Sequence, residues 1–272
     1  MLPPRFIIRI RSLNLRVELW INDVPVTYLP PEEGRSPLAL PVNQFLVQGR
    51  NTIAAVLHAG PRPSFAGKPW PTDPLAAKYN GSASLDLTGA WEVVGSAPTP
   101  PPLVPPLAIR WQGLASPRPE RIERQFNLTQ PIGPWAWESA VRHPALDGTV
   151  QTGVQNYLTR LHGLLATRQF ERFIAENTVK LQELTERAYG VPVDYLRPKM
   201  LQQLRQHAAE PYQLAPLDPA ELDLRLVAGG RLVECLCQNR RHALEYRQAA
   251  GNDTFFLPAM IGQIGSHWQI LR

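Results

Sequence analysis

Apolar and polar residues alternate along residues 13–21, and this alternation constrains the fold more than any other feature of the chain. The odd-numbered positions carry apolar side chains, and the even-numbered positions carry mostly polar ones. A period of two is typical of a β-strand that has one face in a core. Asn22-Asp23 supplies turn residues directly afterwards, and Val24-Pro25-Val26 begins a returning strand.

Such a strand is not stable by itself. Burying its five apolar side chains contributes roughly 8–15 kcal/mol. Fixing the nine backbone residues costs about 9–18 kcal/mol. Because the two quantities nearly cancel, the strand needs neighbours on both sides and a second layer over its apolar face. That requirement predicts a β-sandwich.

The same period continues through the first half of the chain. Further strands are predicted at residues 5–12, 38–42, 53–57, 82–87, 90–94, 108–111 and 122–128. Residues 60–81 are rich in proline and glycine and predict a long loop. The prolines of residues 98–106 predict an extended polyproline-II connection. Together these elements predict an N-terminal all-β sandwich domain at residues 1–128.

Two segments of this half, 17–26 and 40–53, resemble the galactose-binding-like jelly-roll modules found beside many glycosidases. Those modules often have a strand ending in Asn-Gly and a Gly-x-Asn turn before a later strand. Here Asn22-Asp23 stands in place of Asn-Gly, and Gly49-Arg50-Asn51 fits Gly-x-Asn. The resemblance implies a jelly-roll-like sandwich. Since it rests on turn residues, it carries no sugar site with it.

The period changes after residues 129–149, where Pro, Gly, Trp135 and Trp137 concentrate and where we predict a linker. From residue 150, apolar residues recur every three or four positions, which predicts amphipathic helices with a break at 166–168 and an end at Gly190. Asp194 is the predicted N-cap of a third helix. After Pro211 the period returns to two and predicts about five strands, among them a hairpin over 222–238 and further strands at 242–248, 254–260 and 263–271. Helices followed by an antiparallel sheet predict an α+β domain at residues 150–272.

This order of elements resembles the NTF2-like or cystatin-like domain, in which helices pack across a curved antiparallel sheet. The resemblance implies a cone with a pocket, which we expect Tyr157, His162 and Trp268 to line. Asp194 and Tyr195 resemble the acid and tyrosine of an isomerase pocket in this fold. The alternative for His162 is an ordinary position on the polar face of its helix.

Composition argues against several classes of function. The net charge of +5 is spread over both halves without a basic run, which argues against nucleic-acid binding. No apolar run is long enough to cross a membrane, and arginines interrupt the first apolar segment, so we expect neither a span nor a signal peptide. Cys235 and Cys237 lie two positions apart on a predicted strand, so they point the same way but are too far apart for an easy disulfide. We expect them to be buried thiols in a cytoplasmic protein.

Motifs of catalysis are absent from the sequence. It contains no phosphate-binding glycine loop, HExxH, CxxC or GxSxG, and no set of residues with metal-ligand spacing. We therefore expect no catalytic residue, no metal and no cofactor. Enzymatic activity stays open, because catalytic groups can be spread along a chain.

Candidate binding residues lie at two further places. Arg240, Arg241 and His242 fall between two predicted strands, where the guanidinium groups either bind an acidic partner or are simply solvated. Trp20 lies in the polar row of its strand, and Trp70 lies in the long loop. An outward tryptophan stacks on a sugar or anchors a protein interface; the alternative for Trp20 is that the other domain covers it.

These features favour a non-catalytic intracellular binding protein that recognises an acidic protein partner, as an accessory or toxin-neutralising protein does. One alternative is a carbohydrate-binding module with an aromatic platform on the sandwich. The other is a small-molecule enzyme or ligand carrier that uses the pocket of the C-terminal domain.

Overall fold

The structure is a computed structural model that describes residues 5–29, 38–58, 82–92, 107–114, 120–209, 211–237, 241–249 and 253–272. The loop predicted at 60–81 and the connection predicted at 98–106 lie outside these ranges. Within them the chain is mostly β, with four antiparallel sheets and four α-helices.

The chain divides into two compact units. Unit 1 contains the described residues up to Pro134 together with Arg187–Gly190, and unit 2 contains Trp135–Glu186 and the described residues from Val191 to Arg272. The predicted domain boundaries at 128 and 150 stay predictions.

Unit 1 contains two four-stranded antiparallel sheets in a sandwich-like arrangement. The first has the strand order β4-β1-β6-β7 and the second β3-β2-β5-β8. The strands are β1 Arg5–Leu13, β2 Arg16–Ile21, β3 Val24–Leu29, β4 Leu38–Pro41, β5 Gly49–His58, β6 Ser82–Glu92, β7 Leu107–Leu114 and β8 Glu120–Leu128. The two strands predicted at 82–87 and 90–94 are one strand, because Thr88 and Gly89 continue the ladders to β1 and β7.

Alternating residues build the core of unit 1. On β2, Val17, Leu19 and Ile21 are fully buried, as the period of two predicts. The ring of Phe6 on β1 stacks on that of Phe126 on β8 with their centroids 5.7 Å apart, which brings one sheet against the other. Asn14 has a φ of 55° and separates β1 from β2, so the strand expected at 13–21 begins only at Arg16.

The turn residues that carried the jelly-roll resemblance form one hydrogen-bond network. Asn22 and Asp23 both have positive φ, 51° and 60°. The Nδ2 of Asn22 donates to Oδ1 of Asn51 at 2.8 Å, and the backbone N of Thr52 donates to Oδ1 of Asn22 at 2.9 Å. Asn51 is fully buried and also bonds both backbone groups of Val47. These two asparagines therefore fix the β2–β3 turn against the start of β5.

Unit 2 begins with its helices. They are α1 Gly148–Ala166, α2 Phe170–Glu176, α3 Thr178–Gln182 and α4 Val193–His207. Asp147 caps α1, since its side chain accepts hydrogen bonds from the backbone N of Thr149 and Val150 at 3.0 and 2.9 Å. The predicted break lies at Thr167 and Arg168. The expected N-cap is wrong: α4 begins at Val193, and Asp194 lies in its first turn.

The strands of unit 2 form two sheets, with the orders β10-β11-β14-β15 and β13-β12-β9, where one curved sheet was expected. The strands are β9 Tyr212–Leu214, β10 Leu222–Val227, β11 Leu232–Cys237, β12 Glu245–Gln248, β13 Thr254–Phe256, β14 Met260–Ile264 and β15 His267–Ile270. The hairpin of β10 and β11 agrees with its prediction. Gly265, with a φ of 59°, turns the chain between β14 and β15, where the sequence predicted one strand.

A buried apolar cluster joins helices to strands in unit 2. It includes Val154, Leu158 and Leu161 of α1, together with Val233 of β11 and Ile261 of β14. The apolar stripe of α1 is thereby buried, as its spacing predicted. Side chains of α1 beside this apolar stripe, among them Tyr157 and Arg160, line a cleft.

Candidate functional site

An open cleft of about 700 Å³ lies in unit 2, lined by residues of α1, α2, α3 and β15. Helix α1 contributes Tyr157 and Arg160, α2 contributes Glu176 and β15 contributes Trp268. Further polar side chains in the lining are Asn156, Thr178, Ser266, His267 and Gln269. The cleft therefore combines aromatic side chains with a dense set of hydrogen-bonding groups, as ligand sites commonly do.

The Glu176 carboxylate is the centre of the hydrogen bonds in the cleft. Arg160 donates from Nη1 to Oε1 at 2.5 Å and from Nη2 to Oε2 at 2.7 Å, which is the bidentate geometry of a strong ion pair. The Tyr157 hydroxyl donates to Oε2 at 3.1 Å. The Arg160 guanidinium also lies 5.0 Å from the centroid of the Tyr157 ring. The three side chains thus hold one another in place across two helices.

The environment of this triad moves each pKa away from neutrality. Burial raises the pKa of the Tyr157 phenol well above its usual value, and the charge of Glu176 raises it further. The hydrogen bonds from Arg160 lower the pKa of Glu176, and the same bonds raise the pKa of Arg160. A general acid or base works best with a pKa near the operating pH. Near neutral pH the carboxylate and the guanidinium therefore stay charged and the phenol stays neutral, which suits recognition better than proton transfer.

Trp268 packs closely against helix α1. A Cβ atom placed on Gly153 would lie 2.8 Å from Cε2 and 3.0 Å from Cζ2 of the indole, and closer still to its Nε1. Any residue other than glycine would therefore displace the ring. The ring of His143 stacks on Trp268 at an interplanar angle of 20°, with the centroids 5.5 Å apart. His143 and Gly153 together fix the position of the indole.

The structure brings together two of the three residues predicted to line a pocket here. Tyr157 and Trp268 both line the cleft, whereas His162 is absent from its lining. His162 follows Tyr157 by five residues and so points about 140° away around the helix. Its Nε2 lies 2.9 Å from the carbonyl oxygen of Ala215.

Sequence reasoning missed Arg160 and Glu176. Arg160 lies three positions after Tyr157, and side chains at that spacing are neighbours on a helix, so it was within reach of prediction. Glu176 lies on the next helix, and nothing in the sequence indicates which way the chain returns after the break at Thr167 and Arg168.

The predicted arginine site at the β11–β12 connection is engaged internally where it is described. Arg241 donates from Nη2 to Oε2 of Glu221 at 2.8 Å, and its Nη1 lies 3.8 Å from Oε1 of Glu245. His242 stacks on Phe256 with the centroids 4.6 Å apart. Arg240 lies outside the described residues. An acidic partner here would have to compete with two of the protein's own carboxylates.

The structure shows no exposed platform at the two tryptophans predicted to bind a ligand, as far as they are described. The side chain of Trp20 is only 7% exposed, and the Arg121 guanidinium lies 5.6 Å from its ring centroid. Trp70 lies outside the described residues. Trp135 and Trp137 of the predicted linker are buried.

Asp194 and Tyr195, which resemble an isomerase pair, both lie in helix α4, and neither lines the cleft. Tyr195 is exposed, and Lys199 donates to its hydroxyl at 2.5 Å. This lysine lowers the pKa of the Tyr195 phenol. An exposed i, i+4 pair of this kind is adequately explained as a surface contact.

In the part of the chain that the structure describes, no three His, Cys, Asp or Glu side chains are grouped to hold a metal ion. The two cysteines are buried free thiols, and burial raises the pKa of both. None of the described helices combines the length and the apolar character needed to cross a membrane. No protein-family model, curated protein or solved structure matches the chain.

Proposed function

We propose that the protein is a non-catalytic binding protein and that the cleft of unit 2 takes a small, neutral, polyhydroxylated ligand such as a short carbohydrate. The observation that carries the proposal is the convergence of Trp268 with the bonded triad Tyr157–Arg160–Glu176 in one open cleft. The proposal joins the predicted pocket of the C-terminal half to the carbohydrate alternative.

Charge balance supports a neutral ligand. The negative charge of Glu176 is matched by Arg160, so the triad has no net charge to attract an ion. The Arg160 side chain is still 51% exposed, and a guanidinium has five N–H donors, of which the ion pair uses two. Donors therefore remain for ligand hydroxyl groups.

The other side chains of the lining support the same class. Asn156 and Gln269 each offer a donor and an acceptor, which a hydroxyl can use together. Trp268 supplies an apolar wall of the kind on which the C–H face of a sugar packs. A charged or wholly apolar ligand would leave part of this lining unused.

The finer fold assignments are also proposals. Among the described strands of unit 1, successive strands mostly alternate between the two sheets, and only β2–β3 and β6–β7 are neighbours in one sheet. If the strands are counted from β7 and β1 is taken to follow β8, the two orders read 1-8-3-6 and 2-7-4-5, which is the strand order of a circularly permuted eight-stranded jelly roll. This order supports the jelly-roll resemblance. In unit 2 the helices precede antiparallel strands, which supports the NTF2-like resemblance, although the strands form two sheets.

Calorimetric titration of the full chain with neutral mono- and oligosaccharides tests the function. We expect a neutral sugar to bind, and the single variants Trp268→Ala and Arg160→Ala to weaken its binding tenfold or more. Arg205→Ala is the matched control: Arg205 pairs with Glu171 at 2.8 Å on the surface, outside the cleft, and its loss should leave binding unchanged. Absence of binding by every neutral sugar, or preference for a charged ligand, contradicts the proposal.

A further inference from the structure

We propose a second binding surface, on the outward face of the β4-β1-β6-β7 sheet of unit 1, and infer that its partner is an acidic segment of another polypeptide. This surface, which we call the basic face, is built around Arg11, Asp86 and Arg110. It does not depend on the cleft of unit 2.

Strand register places the three charged residues in one row. Arg11 of β1 is the partner of Asp86 in β6, and Asp86 is the partner of Arg110 in β7. All three are exposed, because on these strands the alternate residues Ile10, Leu85, Leu87 and Ile109 take the buried side. The row borders a shallow cleft of about 550 Å³ that Ser84 and Gln112 also line. Hydrogen-bonding groups therefore surround the charges.

The row of Arg11, Asp86 and Arg110 carries a net positive charge. Two arginines, Arg11 and Arg110, flank the one carboxylate of this row, that of Asp86. The nitrogen Nε of Arg110 lies 3.9 Å from Oδ1 of Asp86, with the side chains 79% and 58% exposed. A pair this open and long contributes little to stability. An external carboxylate can therefore displace Asp86 from the guanidinium at little cost.

Spacing indicates an extended acidic segment. The two arginines are two strands apart, or about 9.6 Å. In a polyproline-II segment, which has three residues per turn and rises about 3.1 Å per residue, side chains three residues apart lie on one face and are separated by about 9.3 Å. Two carboxylates at that spacing match two guanidinium forks, each of which can bind a carboxylate in bidentate fashion.

Apolar residues at the end of the basic face add an anchor for a polypeptide. Leu114 of β7 is 78% exposed, and Leu13 of β1 is exposed on the same outward side. Exposed leucines beside arginines suit a polypeptide partner better than a nucleic acid, whose phosphates gain nothing from them. The outward side of β8 offers no such excess, since Arg121 pairs with Glu123 at 3.2 Å.

The test uses the full chain and a fluorescent peptide with two glutamates three residues apart and one leucine. We expect this peptide to bind in a salt-sensitive way and its glutamine counterpart not to bind. The double variant Arg11→Gln/Arg110→Gln should weaken binding at least tenfold. The control Arg121→Gln/Arg124→Gln removes the same charge from β8 and should have little effect. Circular dichroism confirms that the variants are folded.

The variant Asp86→Asn decides the mechanism, because it removes the competing carboxylate. The proposal requires it to strengthen peptide binding, whereas a residue with only a structural role would weaken binding or leave it unchanged. Failure of the peptide to bind, unchanged affinity in the double variant, or tighter binding of a short DNA duplex would each overturn the proposal.

Discussion

Replacing Gly153 by alanine tests how tightly Trp268 is seated against helix α1. Alanine is favoured over glycine inside a helix by about 1 kcal/mol, which would stabilise the protein. The new methyl group, however, would lie 2.8 Å from Cε2 of Trp268, and extra atoms in a packed site cost typically about 1–3 kcal/mol. We therefore expect the free energy of unfolding to change by about 0 to −2 kcal/mol.

Gly163 provides a matched control on the same helix. A Cβ atom at this position would meet nothing within 4 Å, so Gly163→Ala should stabilise the protein by about 0.5–1 kcal/mol. Urea unfolding measures both variants, and the near-ultraviolet circular dichroism of tryptophan reports whether Trp268 moves. If Gly153→Ala is as stabilising as Gly163→Ala and the tryptophan signal is unchanged, Trp268 does not rest on this glycine.

Other positions give further expected outcomes. Arg272 donates from Nη1 to Glu183 at 2.7 Å with both side chains buried. Arg272→Met should therefore lower the free energy of unfolding in urea by about 3–5 kcal/mol. Adding Glu183→Gln to Arg272→Met should restore part of that stability, because it removes the buried charge left without its partner. Burial, and then the charge of Arg272, lower the pKa of Lys180 to about 8. The unfolded chain then binds more protons than the folded one between pH 8 and the usual lysine pKa. Stability measured at rising pH should therefore increase in this window for the natural protein relative to Lys180→Met. A Cβ atom on Gly230 would clash with the His143 carbonyl oxygen, whereas one on Gly229 would meet nothing, although both have positive φ. Gly230→Ala should therefore lower the melting temperature more than Gly229→Ala.

Hydrophobic period predicted the elements of this chain better than their ends. The odd-numbered row of β2 is buried as expected, yet the alternation continues through Leu13 and Asn14, where the chain turns. The alternation of apolar and polar residues alone does not reveal a turn through which that alternation continues. Gly265 broke the last predicted strand for a related reason: a glycine with positive φ interrupts a ladder whose residues still alternate.

The sequence does not show which residues cover the outward side of a strand. Trp20 lies in the polar row of β2 as predicted, but contacts such as that with Arg121 cover it. Arg121 follows Trp20 by about a hundred residues, and no local pattern connects them. The same limit applies to Glu176, which completes the cleft from a different helix than Tyr157.

The alternation of successive strands between the two sheets of unit 1 has a consequence for synthesis. β5 forms its ladder with β8, which joins Gly49 to Leu128. During synthesis, the edge of β5 stays unpaired until the 70 residues from His58 to the end of β8 at Leu128 have been added. At translation rates of about 5–20 residues per second, that wait lasts roughly 4–14 s. An edge left open for seconds is a ready template for wrong pairing, so the nascent chain is most exposed to aggregation before β8 emerges.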